Sequence, residues 1–129
     1  MGLATAYRLS QKHPKLRIAV LDKEDSLAKH QTGHNSGVLH SGIYYNPGSL
    51  KAINCRQGKL AMETFCKEQG IEHELCGKII VALEDKEIPR LQNIFQRGQE
   101  NGVNCKMISR EEMLEIEPHV AGLQLSLIH

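Results

Sequence analysis

The residues best suited to chemistry lie together in one stretch, His30 to Lys51, which reads HQTGHNSGVLHSGIYYNPGSLK. It holds three histidines and four glycines among small hydroxyl and amide side chains. An imidazole titrates near neutral pH, so a histidine can hold or move a proton without a large pKa shift. Thr32, Asn35, Ser36 and Ser41 add further donors and acceptors. Glycine loses more conformational freedom on folding than any other residue, so a cluster of it marks tight turns or close approach of the backbone to a ligand. Two readings follow from composition: a long surface loop rich in turn residues, or a loop laid against a polar cofactor.

Other chemistries find less support. A chain of 129 residues matches one small domain, long enough to bury a core. Its apolar content of 40% and charged content of 24% are ordinary for a globular protein. A net charge of +1 with no basic stripe argues against nucleic acid as the main partner. Tryptophan is absent and aromatics are scarce, which argues against a base-stacking platform. Cys55, Cys66, Cys76 and Cys105 show no C-x-x-C spacing, and His73 with Cys76 has no second pair to complete a zinc site. No metal site is expected, and the thiols read as isolated small apolar residues in a reducing compartment. No segment approaches the ~20 apolar residues needed to span a bilayer, and no targeting sequence is read at the N-terminus.

The elements that must position the stretch follow from periodicity. Leu3, Ala6 and Leu9 predict an amphipathic helix ending near Pro14. Ile18 to Leu21 read as a short buried parallel strand closing on Asp22. Such a helix and strand form the second half of a βαβ unit. A glycine followed about 20 residues later by an acidic residue is the relationship of a dinucleotide-binding fingerprint, and Gly2 and Asp22 have it. The first strand and the other two glycines are then expected before Met1. Pro47-Gly48-Ser49 predicts a turn and an N-cap, opening a helix that Gly70 stops. Lys78 to Leu83 read as a strand, and Asp85 as the cap of a helix running to about Asn101, with Pro89 in its first turn. Ile88, Leu91, Ile94 and Phe95 form that helix's apolar stripe and are expected in the core. Val103 to Ile108 predict a short strand. Ser109-Arg110-Glu111-Glu112 is a capping box before a short helix stopped by Pro118. The order suggests an α/β protein with at least part of a parallel sheet.

The run from His30 to Ala52, with RIAVLDKE at 17–24, CGKIIVA at 76–82 and EIPRL at 87–91, resembles the L-2-hydroxyglutarate dehydrogenases and oxidases. These are flavoproteins of the D-amino-acid-oxidase-like superfamily. The likeness runs from Gly2 to about Gly122. It implies a partial FAD-binding Rossmann-like domain, with residues 1–50 as the remnant of the βαβ unit and flavin loop. Residues 51–129 would begin a second α+β region leading to a substrate domain. The implied reaction is FAD-dependent oxidation of L-2-hydroxyglutarate to 2-oxoglutarate by hydride transfer to flavin, in mitochondria where the organism is a eukaryote. The implied partners are a small 2-hydroxy acid and an unidentified electron acceptor.

Residue by residue, the resemblance implies FAD contacts at Gly2, Asp22, Lys23, Gln31, Thr32, Asn35, Ser36 and Gly37. Asp22 stands where the family usually has glutamate. His40 matches a histidine near the flavin and is the implied catalytic residue, with a structural histidine as its alternative. His30, His34 and Tyr44 read as scaffold, and His13, His73, His119 and His129 as surface or loop histidines. Beyond Leu123 the likeness stops. The chain is therefore expected to be a piece of that enzyme, truncated at both ends, that binds FAD poorly and does not turn over alone. A non-catalytic module, or an oxidase acting on glycerol phosphate or an amino acid, is the competing expectation.

Overall fold

The structure, a computed structural model, describes residues 2–122 and 125–128. Met1, Leu123, Gln124 and His129 lie outside the described residues, and Leu123, where the sequence leads us to expect the family likeness to stop, is among them. The chain divides into two units, Met1–Val38 and Leu39–His129. The division falls inside the His30–Lys51 stretch.

The first unit opens with α1, Gly2–Lys12. Lys12 in its last turn suits the negative end of the helix dipole. The His13 N–H closes the helix on the Leu9 carbonyl at 2.8 Å, and Pro14 has no N–H to continue the pattern. A Cβ built at Gly2 would lie 3.7 Å from Val20 Cγ1, so the start of α1 stands beside the Ile18–Leu21 run. That run is irregular rather than the parallel strand its sequence suggests. The physical reason is the ladder: a parallel strand exists only when hydrogen-bonded to a neighbour, and no described residue of this unit supplies one. Leu21 is accordingly 93% exposed, and no described residue of the unit is buried.

The second unit carries the core. Asn46-Pro47-Gly48-Ser49 is a turn closed by the Ser49 N–H on the Asn46 carbonyl at 3.1 Å. Proline second and glycine third, the latter at φ 73°, is the pattern of a type II turn. It delivers Ser49 as N-cap of α2, Leu50–Gln69, where its Oγ accepts from Ala52 N–H at 3.2 Å. Gly70 ends the helix in the left-handed conformation at φ 65°. β1 is Ile79–Val81, and after a 3-10 turn at Asp85–Glu87 comes α3, Ile88–Glu100, with Pro89 in its first turn as expected. Glu84 rather than Asp85 caps that turn, in a capping box with Glu87.

β2 is Lys106–Ser109, α4 is Arg110–Ile116 and β3 is Leu125–Ile128. The expected capping box is present at the start of α4. Ser109 Oγ accepts from Glu112 N–H at 3.2 Å, and Glu112 Oε2 accepts from Ser109 N–H at 2.8 Å. The sheet has the order β1-β3-β2, with both pairings antiparallel. This corrects the expectation of a parallel sheet for the described strands. Between β2 and β3, α4 and the turn after it bring the chain back antiparallel. Ile43, Ala82, Leu91 and Val103 are buried together, with Ile80, Ile88, Ile94, Phe95, Cys105 and Met107 packed around them. The expected apolar stripe of α3 is thus core.

Two outcomes test this packing. A Cβ at Gly98 would lie 2.8 Å from Cys105 Sγ and 3.0 Å from Ile43 Cγ1. Gly98→Ala is therefore expected to destabilise the second unit by about 1–3 kcal/mol in urea unfolding, although alanine is the better helix former. The second concerns Glu112. The Lys106 ammonium, and then the Ser109 N–H, hold its carboxyl below the usual carboxylate range. A depressed folded-state pKa gives stability that is in force above the unfolded pKa, about 4.3, and is lost as pH falls through the folded value. Glu112→Gln should flatten the acid limb of the stability–pH curve below about pH 5 and leave the curve's shape near neutrality unchanged.

Candidate functional site

In the first unit, residues 22–37 form a tight coil held by its own polar groups. Asp22 Oδ1 accepts from the Glu24 N–H at 3.0 Å. Glu24 Oε1 meets His30 Nε2 at 2.8 Å and Lys23 Nζ at 3.6 Å. Lys29 pairs with Asp25 at 3.4 Å. Ala28 stands at φ 63°, in the left-handed region that side chains other than glycine rarely adopt. Its carbonyl oxygen is so near Gly33 that a Cβ there would lie at 2.2 Å. Asn35 commits both amide hydrogens, to Gln31 O at 2.9 Å and Thr32 O at 2.8 Å, while its oxygen accepts from Gly37 N–H at 2.8 Å. Ser36 Oγ accepts from Val38 N–H at 3.4 Å. No hydrogen bond among the described residues uses the Gln31 or Thr32 side chain. Gly37 stands at φ 67° with open space where a Cβ would project.

In the second unit, His40 to Tyr45 run along α2 and α3. The Cys55 thiol donates to the His40 carbonyl at 3.2 Å. Gly42, at φ 87°, lies so close to Cys55 that a Cβ would meet the cysteine Cβ at 3.3 Å. Ile43 is 1% exposed and fills the notch left by Gly98. Asn101 Nδ2 then donates to Gly42 O at 3.2 Å and Tyr45 O at 2.9 Å, and Arg97 Nη1 donates to Tyr44 O at 3.4 Å. The turn so fixed forms the wall of a cavity of about 180 Å³, lined by residues 40–45 and Lys78. Lys78 Nζ lies 5.2 Å from the centre of the Tyr44 ring.

A family model described as FAD dependent oxidoreductase matches residues 1–128. The chain belongs to that family. Among relatives, it is 53% identical over 124 residues to a protein of Nematostella vectensis named L-2-hydroxyglutarate dehydrogenase, mitochondrial. The Homo sapiens protein of the same name is 52% identical over 124 residues. Salmonella houtenae has an L-2-hydroxyglutarate dehydrogenase 46% identical over 123 residues. In each case 95% of this chain is covered, and 27%, 27% and 29% of the relative respectively.

Membership of the FAD dependent oxidoreductases makes FAD the group against which the residues must be tested. Asp22 keeps one carboxylate oxygen outside any hydrogen bond of the described residues, which suits a ribose hydroxyl. Gln31 and Thr32 keep their side chains, Ser36 keeps its hydroxyl hydrogen, and Gly37 leaves its backbone open. These residues fit. The Asn35 side chain is different, because both its donors are consumed in shaping the coil. The eight expected cofactor residues all fall in the first unit and His40 falls in the second. Sequence reasoning missed Lys78, Arg97, Gly98 and Asn101. Asn101 read only as a helix stop, and nothing local signals that its amide holds carbonyls 56 and 59 positions away. Among the described residues no cluster of three or more His, Cys, Asp or Glu side chains could hold a metal. No described helix is long and apolar enough to cross a membrane.

Asn101→Ala removes the two bonds that hold the cavity wall. It should cost about 1–3 kcal/mol in urea unfolding and speed amide hydrogen exchange in the turn at 41–45. An unchanged exchange pattern would show that the clamp is not what fixes the wall.

Proposed function

We propose that this chain is the part of an FAD-dependent oxidoreductase that meets the flavin, in an enzyme oxidising L-2-hydroxyglutarate to 2-oxoglutarate. The observation that carries this reading is identity near one half across 95% of the chain to proteins named for that substrate. The chain spans under a third of their length, so the activity of the whole is a proposal. When bound, FAD supplies the two-electron acceptor for the hydride that leaves the substrate carbon. The chain's own residues bind and orient. In this reading the start of α1 at Gly2 approaches the pyrophosphate, and the free oxygen of Asp22 accepts from a ribose hydroxyl. Lys23 stays beside Asp22, paired with Glu24. Gln31, Thr32 and Ser36 donate along the cofactor, and Asn35 keeps Gly37 in the conformation that lets the backbone come close.

His40 is assigned the proton. Its ring has no hydrogen bond among the described residues, so a nitrogen is available to accept the hydroxyl proton as hydride departs. For location we follow the eukaryotic relatives, whose names place them in mitochondria. A second reading, that the 129-residue chain does not turn over by itself, is favoured by the first unit, where no described residue is buried.

Anaerobic flavin reduction tests the proposal on the protein expressed from the whole reading frame that carries this chain. L-2-hydroxyglutarate should bleach the yellow flavin band, while glycerol phosphate and amino acids should not. His40→Ala should slow the bleaching roughly a hundredfold or more. Bleaching by one of the other substrates alone, or purification without flavin, would overturn the reading.

A further inference from the structure

The cavity in the second unit has an unusual lining. Its side chains include His40, Tyr44, Tyr45 and Lys78, and none of its residues is acidic. Lys78 is in none of the ion pairs among the described residues, whereas Lys23, Lys29, Lys59, Lys86 and Lys106 each face a carboxylate. Its ammonium lies instead 5.2 Å from the centre of the Tyr44 ring, an arrangement that attracts the cation without neutralising it. The imidazole of His40 and the two phenols have no hydrogen-bond partner among the described residues. The backbone carbonyls of Gly42, Tyr44 and Tyr45 are already occupied by Asn101 and Arg97.

This leaves a concave site with donors to spare, a full positive charge and a backbone wall fixed by α3. An anion with two acceptor oxygens complements it. A lysine ammonium is a compact point charge with three donors, suited to one oxygen of a carboxylate, and phenol hydroxyls can donate to the other.

We propose that the cavity is a carboxylate-binding subsite, with Lys78 as its cation and Tyr44 and Tyr45 as neutral donors, taking one end of a short dicarboxylic acid. The choice of a dicarboxylate rests on the reading that the protein acts on L-2-hydroxyglutarate. The subsite itself rests on the lining. Lys78 then decides which hydroxy acids are held, and His40, lining the same cavity, stands near the held end. About 180 Å³ accommodates a carboxylate and the first carbons behind it.

Glutarate, which has no hydroxyl to oxidise, is the probe. It is titrated at constant ionic strength into ¹⁵N-labelled protein expressed, as purified, from the whole reading frame that carries this chain. Saturable amide shifts are expected at 40–45 and around Lys78. The uncharged diamide of glutaric acid should produce none. Lys78→Met keeps the aliphatic stem and should weaken glutarate binding about tenfold or more, with Lys78→Arg restoring most of it. Tyr44→Leu, which removes the ring beneath the ammonium, should also weaken it. The inference is overturned by equal shifts with the diamide, by shifts elsewhere or none, or by an unchanged Kd in Lys78→Met. These outcomes are independent of flavin reduction. Glutarate bound at Lys78 in a protein that L-2-hydroxyglutarate fails to reduce would leave the subsite standing and remove the oxidation reading.

Discussion

One contact organises the second unit: Ile43 seated in the notch that Gly98 leaves on α3. A side chain at position 98 would collide with Ile43 and with Cys105, so the turn at 41–45 can sit against α3 only because glycine is there. Once Ile43 is seated, the carbonyls of Gly42, Tyr44 and Tyr45 come within reach of Asn101 and Arg97. Gly42 is a buried residue, and a buried carbonyl left unpaired costs about 1–3 kcal/mol, while Tyr44 and Tyr45 are exposed and their bonds chiefly fix the direction of the turn. The hydrophobic contact and the three hydrogen bonds are therefore one device. Its effect is to hold the wall of the cavity, and with it His40, by groups from a helix more than 50 residues further along the chain.

The two units contrast in how they are held. The second has a core and a sheet, whereas the first has a helix, an extended run and a coil of local hydrogen bonds. In the first, order comes from pairs close in sequence, such as His30 with Glu24 and Asn35 with Gln31 and Thr32. Exposed ion pairs of this kind contribute little individually. The exposed Val20 and Leu21 fit that picture: they carry the sequence of a buried strand in a unit whose described residues bury nothing.

What could be read from the sequence divides along the same line. The helices were legible because their signals are local: Ser49 and Gly70 bracket α2, Ser109 and Glu112 box the start of α4, and Pro89 sits where a first turn accepts it. Strand pairing was not, because direction is set by partners distant in sequence. Ile79–Val81 and Lys106–Ser109 were foreseeable as strands, but β3 between them was not, and it makes both pairings antiparallel. The site shows the same limit. The His30–Lys51 composition pointed to the stretch, and family resemblance to FAD, while Lys78 and Asn101 look like any surface lysine and any helix-ending asparagine until the fold brings them to the turn.

Side-chain length explains which polar residues of the stretch remain available to a ligand. Asn, Asp and Ser are short enough to reach their own backbone, and they do so readily in turns. Asp22 spends one oxygen on Glu24, Asn35 spends its amide on three neighbours, and Ser49 caps a helix while donating to Asn46. Glutamine, histidine, tyrosine and lysine reach past the backbone, and Gln31, His34, His40, Tyr44, Tyr45 and Lys78 are among the side chains left without a hydrogen-bond or ion-pair partner among the described residues, with Thr32 a short exception. A loop rich in small polar residues is thus first a self-bonded scaffold. The groups that can meet a substrate or cofactor are mostly the longer ones that the scaffold holds but does not use.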